Sequence, residues 1–188
     1  MKRVTYMILC VLFLFAHNIS AQETKKVQEP EYIGVFAFLD PGTSNLQDLE
    51  RQTPEAKVKV KAFGYGGAES SMQIKGDRSP IRFKTNQKLE FIVRTASQQI
   101  DPMSLIQLFS FTPNKGMRRL MMAKVGSIGM SSKAVTNQSA ISFNVAKYGD
   151  SSFKVVPANT LSPGEYCLST STSTDAFCFG IDSSEQKQ

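Results

Sequence analysis

The chain has 188 residues, with 22 Lys or Arg against 16 Asp or Glu, a formal net charge of +6, one histidine, three cysteines and no tryptophan. An apolar fraction of 41% suits a chain that folds around a core, and excludes the composition of a disordered protein. A single histidine excludes every catalytic or metal site that needs two.

Lys2 and Arg3 precede an apolar run over residues 7–16, and Ile19-Ser20-Ala21 places a small residue where a signal peptidase cuts. This order predicts a secretory signal peptide over residues 1–21. Ten apolar residues fall well short of the roughly 20 that span a bilayer. Leu9 stands before Cys10 where a lipoprotein signal needs a small residue, so no lipid is expected there. The expected mature chain, 22–188, is periplasmic or extracellular and has no membrane span. It carries 20 basic and 16 acidic residues, net +4, and has lost His17 and Cys10. Without histidine it has no Ser-His-Asp triad, no Cys-His dyad and no His-ligated metal.

Residues 22–31, "QETKKVQEPE", are polar and aperiodic and predict a flexible leader. "YIGVFAF" is a short apolar strand ended by Asp40-Pro41-Gly42. "SNLQDLERQ" predicts a short helix capped by Ser44, with Leu46 and Leu49 on one face and Pro54 stopping it. In "KVKVKAF", Val58, Val60 and Ala62 point one way and Lys57, Lys59 and Lys61 the other. Such a lysine row is either a binding stripe or a solvated, aggregation-guarded edge, and the second is the commoner case. "GYGGAES" lacks the spacing of phosphate loops and predicts a bend or bulge. "SMQIKG", "SPIRFKT" and "KLEFIVRT" continue the β pattern. "DPMS" is a turn or single helical turn capped by Asp101. A hairpin follows, with residues 105–111 out, Pro113-Asn114-Lys115-Gly116 as the turn and 118–125 back. After a small-residue loop, "AISFNVAKYG" and "SSFKVVPA" are strands.

About ten short strands broken by Gly, Pro and Ser turns predict an all-β fold, an antiparallel β-sandwich over residues 32–188. Residues 32–96 can form a small N-terminal β appendage to it. Leu161, Pro163, Gly164 and Tyr166 resemble the strand-entry motif of immunoglobulin-like sandwiches, where a tyrosine bonds back to the preceding connection.

The last hairpin fixes its own register. With 171–174 as the loop, Tyr166 faces Phe179 and Leu168 faces Phe177 on one side. Cys167 then faces Cys178 on the other. A slip by one residue would turn one strand's apolar set outward. Two thiolates alone make a poor zinc site, and no Cys-x-x-Cys is present for redox chemistry. The expected bond is therefore a Cys167–Cys178 disulfide, as export favours.

Charge is uneven along the chain. Residues 57–147 carry 15 basic and 4 acidic groups, while the two flanks of the mature chain are acidic. Lys115, Arg118, Arg119 and Lys124, with Lys57, Lys59 and Lys61, are the candidate anion-binding residues, and the alternative is solvated hairpin charge. Asp77, Glu90, Asp101, Asp150 and Glu165 could in principle support two-carboxylate hydrolysis, but nothing in their spacing pairs them. Met117, Met121, Met122 and Met130 could hold a soft metal, but Met122 is in phase with Leu120 and reads as core.

"RSPIRFKT…LEFIVR", "DPMSLIQLFSF…GMRRLMMAKVGSIG" and "VAKYGDSSFKVVP…LSPGEYCLST…FCFGID" are similar to an uncharacterised family of signal-peptide-bearing bacterial exported proteins with this C-terminal hairpin. The resemblance implies export and no particular activity. The sequence thus favours a non-catalytic exported binding or structural module of the bacterial envelope or exterior. A carrier or binder of an anionic glycan or lipid headgroup is the first alternative, and a carboxylate-only hydrolase the second. No cofactor and no nucleic-acid partner is expected; the partner would be an unidentified protein or envelope component.

Overall fold

The computed structural model describes residues 27–61, 67–125, 133–134 and 139–183. Their alternating and aromatic runs extend into β1 (Phe36–Leu39), β2 (Leu46–Asp48), β3 (Glu50–Gln52), β4 (Glu55–Val60), β5 (Ala68–Lys75), β6 (Arg82–Lys84) and β7 (Phe91–Arg94). After a one-turn helix α1 (Pro102–Leu105) come β8 (Ile106–Asn114), β9 (Met117–Val125), β10 (Lys133–Ala134), β11 (Phe143–Tyr148), β12 (Ser152–Pro157), β13 (Gly164–Thr170) and β14 (Ala176–Asp182). Asp101 caps α1 by accepting from the Met103 N–H at 3.0 Å, and Pro102 opens it, as the sequence predicts.

The strands form two sheets in a sandwich-like, nearly all-β arrangement. One has the order β11-β12-β7-β1-β2. The other runs β3-β14-β13-β8-β9-β5-β4, with β10 beside β9 and β6 beside β14. All pairings are antiparallel except β6 with β14. Strands β3 and β6 share one edge of β14, β3 along Ala176–Cys178 and β6 along Gly180–Asp182. Residues 32–96 supply β1, β2 and β7 of the first sheet and β3–β6 of the second.

Two cores follow from this layout. Between the sheets lie Phe36, Phe38, Phe83, Phe91, Phe177 and Phe179 with Leu168 and Ile181. Each fully buried side chain of this kind contributes about 1.5–3 kcal/mol. The second sheet is long enough to fold back over itself. Strand β8 pairs with β13 over Ile106–Phe111 and then with β9 over Thr112–Asn114. This carries β9 and β5 across the far face of β13 and β14, where Ile74, Leu120 and Phe111 enclose Cys167 and Cys178.

The final hairpin has the expected register: Tyr166 opposite Phe179, Cys167 opposite Cys178 and Leu168 opposite Phe177. The disulfide is formed, with an S–S distance of 2.07 Å. The Tyr166 hydroxyl donates to the Ser162 carbonyl at 2.8 Å.

Three local expectations are corrected. "SNLQDLERQ" is not a helix but two strands, β2 and β3. Leu46 pairs with Leu39 in the first sheet, Glu50 pairs with Cys178 in the second, and buried Leu49 marks the crossing between them. Two waiting sheet edges outweigh the weak helical spacing. The β8–β9 turn is shorter than expected, with Lys115 (φ 52°) and Gly116 (φ 80°) at its centre, a two-residue type I′ geometry. The end of the leader is tied down: Glu29 accepts the N–H groups of Asp150 (2.7 Å) and Ser151 (3.1 Å) and the Ser152 hydroxyl (2.5 Å).

The expected signal peptide, residues 1–21, lies outside the described residues, as does most of "GYGG" and of the loop after β9. Among the described residues, no helix is long and apolar enough to cross a membrane.

Because the disulfide closes a short loop inside the second core, reducing it should cost about 2–3 kcal/mol. Urea unfolding with and without reductant checks this, and an unchanged midpoint would refute it.

Candidate functional site

Strand alternation decides which side chains share the outer face of β4, β5 and β9. Lys57 stands opposite Ser71, Lys59 opposite Glu69, Gln73 opposite Arg119 and Glu69 opposite Lys124. These residues and Lys61 therefore project to one side. The type I′ turn adds Lys115, because the Gly116 N–H donates to Asp77 Oδ1 at 2.8 Å and pins the turn against the β5–β6 connection. Together Lys57, Lys59, Gln73, Asn114, Lys115 and Arg119 line a groove of about 530 Å³.

The groove is positive. Glu69 serves three cations: Lys61 at 2.5 Å, Arg119 at 3.4 Å and Lys124 at 4.0 Å. The Lys61 bond holds the Glu69 carboxyl below its usual range. Lys57, Lys59 and Lys115 form no ion pair among the described residues. The buried Nε of Arg119 has no hydrogen-bond acceptor there either. Unpaired ammonium groups beside the partly exposed Arg119 side chain are suited to an incoming oxyanion.

Six of the seven predicted cations thus lie on this face, four of them lining the groove. Arg118 does not. Its neighbour Arg119 faces out, so alternation turns Arg118 inward, where its side chain is 0% exposed. It grips Glu50 in a two-bond fork of 2.7 and 2.8 Å and donates to the carbonyls of Gly76 and Lys75, each at 3.1 Å. Arg118 is a structural cation, and the expectation of an anion site at this residue is withdrawn.

Arg118 belongs to a chain of buried charge. Glu165 lies 3.8 Å from it, accepts the Ser79 N–H at 2.8 Å and pairs with Arg82. Arg82 also binds Asp182 at 2.6 Å, and Arg78 binds Asp182 at 2.8 Å. Burial would raise the Glu50 carboxyl, but the bonds from Arg118 and Ser79 outweigh it and hold it below the usual range. The Arg82 bond likewise holds Asp182 low, and the same bond raises Arg82. Nothing in the linear pattern announced this network. Its one local trace is Gly180 opposite Glu165, since a Cβ at Gly180 would overlap the Arg82 guanidinium.

Three of the other acids weighed for hydrolysis have visible duties. Asp77 holds the β8–β9 turn, Asp101 caps α1, and Glu90 pairs with Lys88 at 2.7 Å and Lys154 at 3.5 Å. Asp150 donates its backbone N–H to Glu29. Met122 packs against the second core and Met117 lines the groove, while Met130 lies outside the described residues. Among the described residues, no group of three His, Cys, Asp or Glu could hold a metal ion.

The inner side of β5 and β9 holds a second concavity, of about 750 Å³, walled by Met72, Phe109, Leu120, Met122 and Phe143, with Cys167 among its lining. Ser169, Thr170, Ser171, Ser173 and Thr174 also line it. Buried charge at Glu165, the disulfide at Cys167 and this apolar cleft at Ser169 therefore follow one another along one face of β13.

No protein-family model matches the chain, and no curated protein or solved structure does either.

The charge network sets a pH dependence. The carboxyls of Glu50 and Asp182 are depressed in the folded state, so they add stability above their unfolded values of about 4. That contribution is lost as pH falls through the folded values. The urea midpoint should be flat from about pH 7 to 5 and fall below about pH 4.5, less steeply in Glu50→Gln. Gly180→Ala should cost about 3 kcal/mol at pH 7 by displacing Arg82 from Glu165. Chemical denaturation measures both, and a wild-type midpoint in Gly180→Ala would refute the second.

Proposed function

We propose that this chain is an exported, non-catalytic binding module of the bacterial envelope or exterior, and that it holds an anionic envelope ligand in the groove of β4, β5 and β9. One observation carries the reading: Lys57, Lys59 and Lys115 line one groove with Arg119 and form no ion pair among the described residues. Charge placed this way on a rigid sheet attracts a glycan or headgroup anion, and its attraction is screened by salt over about 10 Å at 0.1 M.

Export is supported by the disulfide and by the charged start and apolar run of residues 1–21. The bond from Tyr166 to the Ser162 carbonyl supports an immunoglobulin-like reading of the C-terminal strands. That reading concerns architecture and carries no function by itself.

Heparin serves as a polyanion probe. Binding should weaken steadily with added salt. Lys57→Ala, Lys59→Ala and Lys115→Asn combined should reduce affinity about tenfold, at roughly 0.5 kcal/mol per exposed charge. Asn is chosen at position 115 because it tolerates positive φ. Lys88→Ala with Lys154→Ala, which sit beside Glu90 instead, should leave binding unchanged. Equal losses in both variants would show attraction to net charge and not to this groove.

A further inference from the structure

The groove is bounded by β4, and β4 is the last strand of its sheet. Its six residues are all exposed. The Lys61 N–H donates to the Gly67 carbonyl at 2.9 Å, which makes that position a hydrogen-bonded pair. Counting back by twos, Lys59, Lys57 and Glu55 also direct their backbone groups to β5. Ala56, Val58 and Val60 therefore direct their N–H and C=O groups away from the sheet. Among the described residues, nothing pairs with that edge.

Its side chains are sorted by face. Lys57 and Lys59 stand on the groove side. Val58 and Val60 stand on the other, 67% and 60% exposed. Their partners across the ladder are Ser70 and Ala68, so the valines rise above small neighbours. Lysines alone would be an edge guard. A guard has no use for an exposed aliphatic row on its opposite face.

We infer that β4 is an acceptor edge for strand addition, and that its occupant is an extended segment of another protein with acids and aliphatics in alternation. A strand laid on this edge must place alternate side chains over the lysines and over the valines. The first set is complementary when acidic and the second when aliphatic. Glu55, on the lysine face, repels an acid opposite it and limits the acids to the stretch facing Lys57 and Lys59. A second copy of this chain is a poor occupant, because two β4 edges would bring their lysine rows together. The inference shares the lysines with the anion-binding groove but rests on the backbone edge and the valine row.

The probe is the labelled peptide acetyl-Thr-Val-Glu-Val-Glu-Val-Thr-amide, which presents the same pattern in either direction. It should bind the full mature chain, and the isomer acetyl-Thr-Val-Val-Val-Glu-Glu-Thr-amide should bind at least tenfold more weakly. Val60→Pro, at a residue that does not line the groove, removes only an outward N–H, which an edge strand tolerates, and should abolish peptide binding while heparin binding persists. If that variant fails to fold, the peptide itself supplies the test. N-methylation at its central valine and at a glutamate block opposite edges, so one modified peptide should lose at least tenfold and the other should bind as before. No binding of the probe, equal effects of the two methylations, or a Val60→Pro protein that binds peptide normally would overturn strand addition. The last two results with salt-sensitive binding would leave the anion groove standing alone.

Discussion

The pairing of β13 with β14 is the constraint on which the rest of the structure depends. Tyr166, Leu168, Phe177, Phe179 and Ile181 face one way, into the aromatic core between the sheets. Glu165, Cys167 and Cys178 face the other way, into the layer beneath β5 and β9. A shift of one residue would invert this division and carry a glutamate into an aromatic core, at a cost of several kcal/mol. One hairpin therefore sets the composition of two cores, and the disulfide holds the register that both require.

The buried charges beside that disulfide do a different job. An ion pair taken out of water gains little over a well-packed apolar pair, yet leaving one member alone costs several kcal/mol. Arg118 meets this condition with a two-bond fork to Glu50 and two backbone carbonyls. The network therefore favours one docking of β9 over β13 and β14 by penalising the others. It closes the layer at its Glu165 end. At the Ser169 end, hydroxyls and flexible methionines take over, and the layer opens into the apolar cleft.

The outer surface follows from the same docking. Once Arg118 and Leu120 face inward, Arg119 must face outward, and β5 and β4 continue that face with Glu69, Lys57 and Lys59. The groove and the open edge thus sit on a sheet whose position is set by buried contacts. Binding there would need little rearrangement, which lowers the ordering cost of holding a partner.

Much of this was legible in the residues. Alternation in "KVKVK" separated lysines from valines, Asp101 announced its cap, and the aromatic pattern of the last hairpin placed Cys167 against Cys178. Each signal depends on neighbours one to a few positions apart, or on two strands joined by a short turn. What stayed hidden required partners far along the chain. "SNLQDLERQ" carries helical spacing, and only the edges of β1 and β14 make it two strands. Arg118 and Arg119 are indistinguishable in sequence until Glu50, 68 positions away, and Gly76 claim one of them. Lys57 and Lys115 share a groove because β5 pairs with both β4 and β9, and the turn leading into β9 carries Lys115. The sequence by itself determined strand faces, the hairpin register and the disulfide, because side-chain period is a local property of the backbone. Only the tertiary structure decided which cations are buried, which edge is open and where the groove lies, because those depend on non-local pairing and on which carboxylates it leaves within reach.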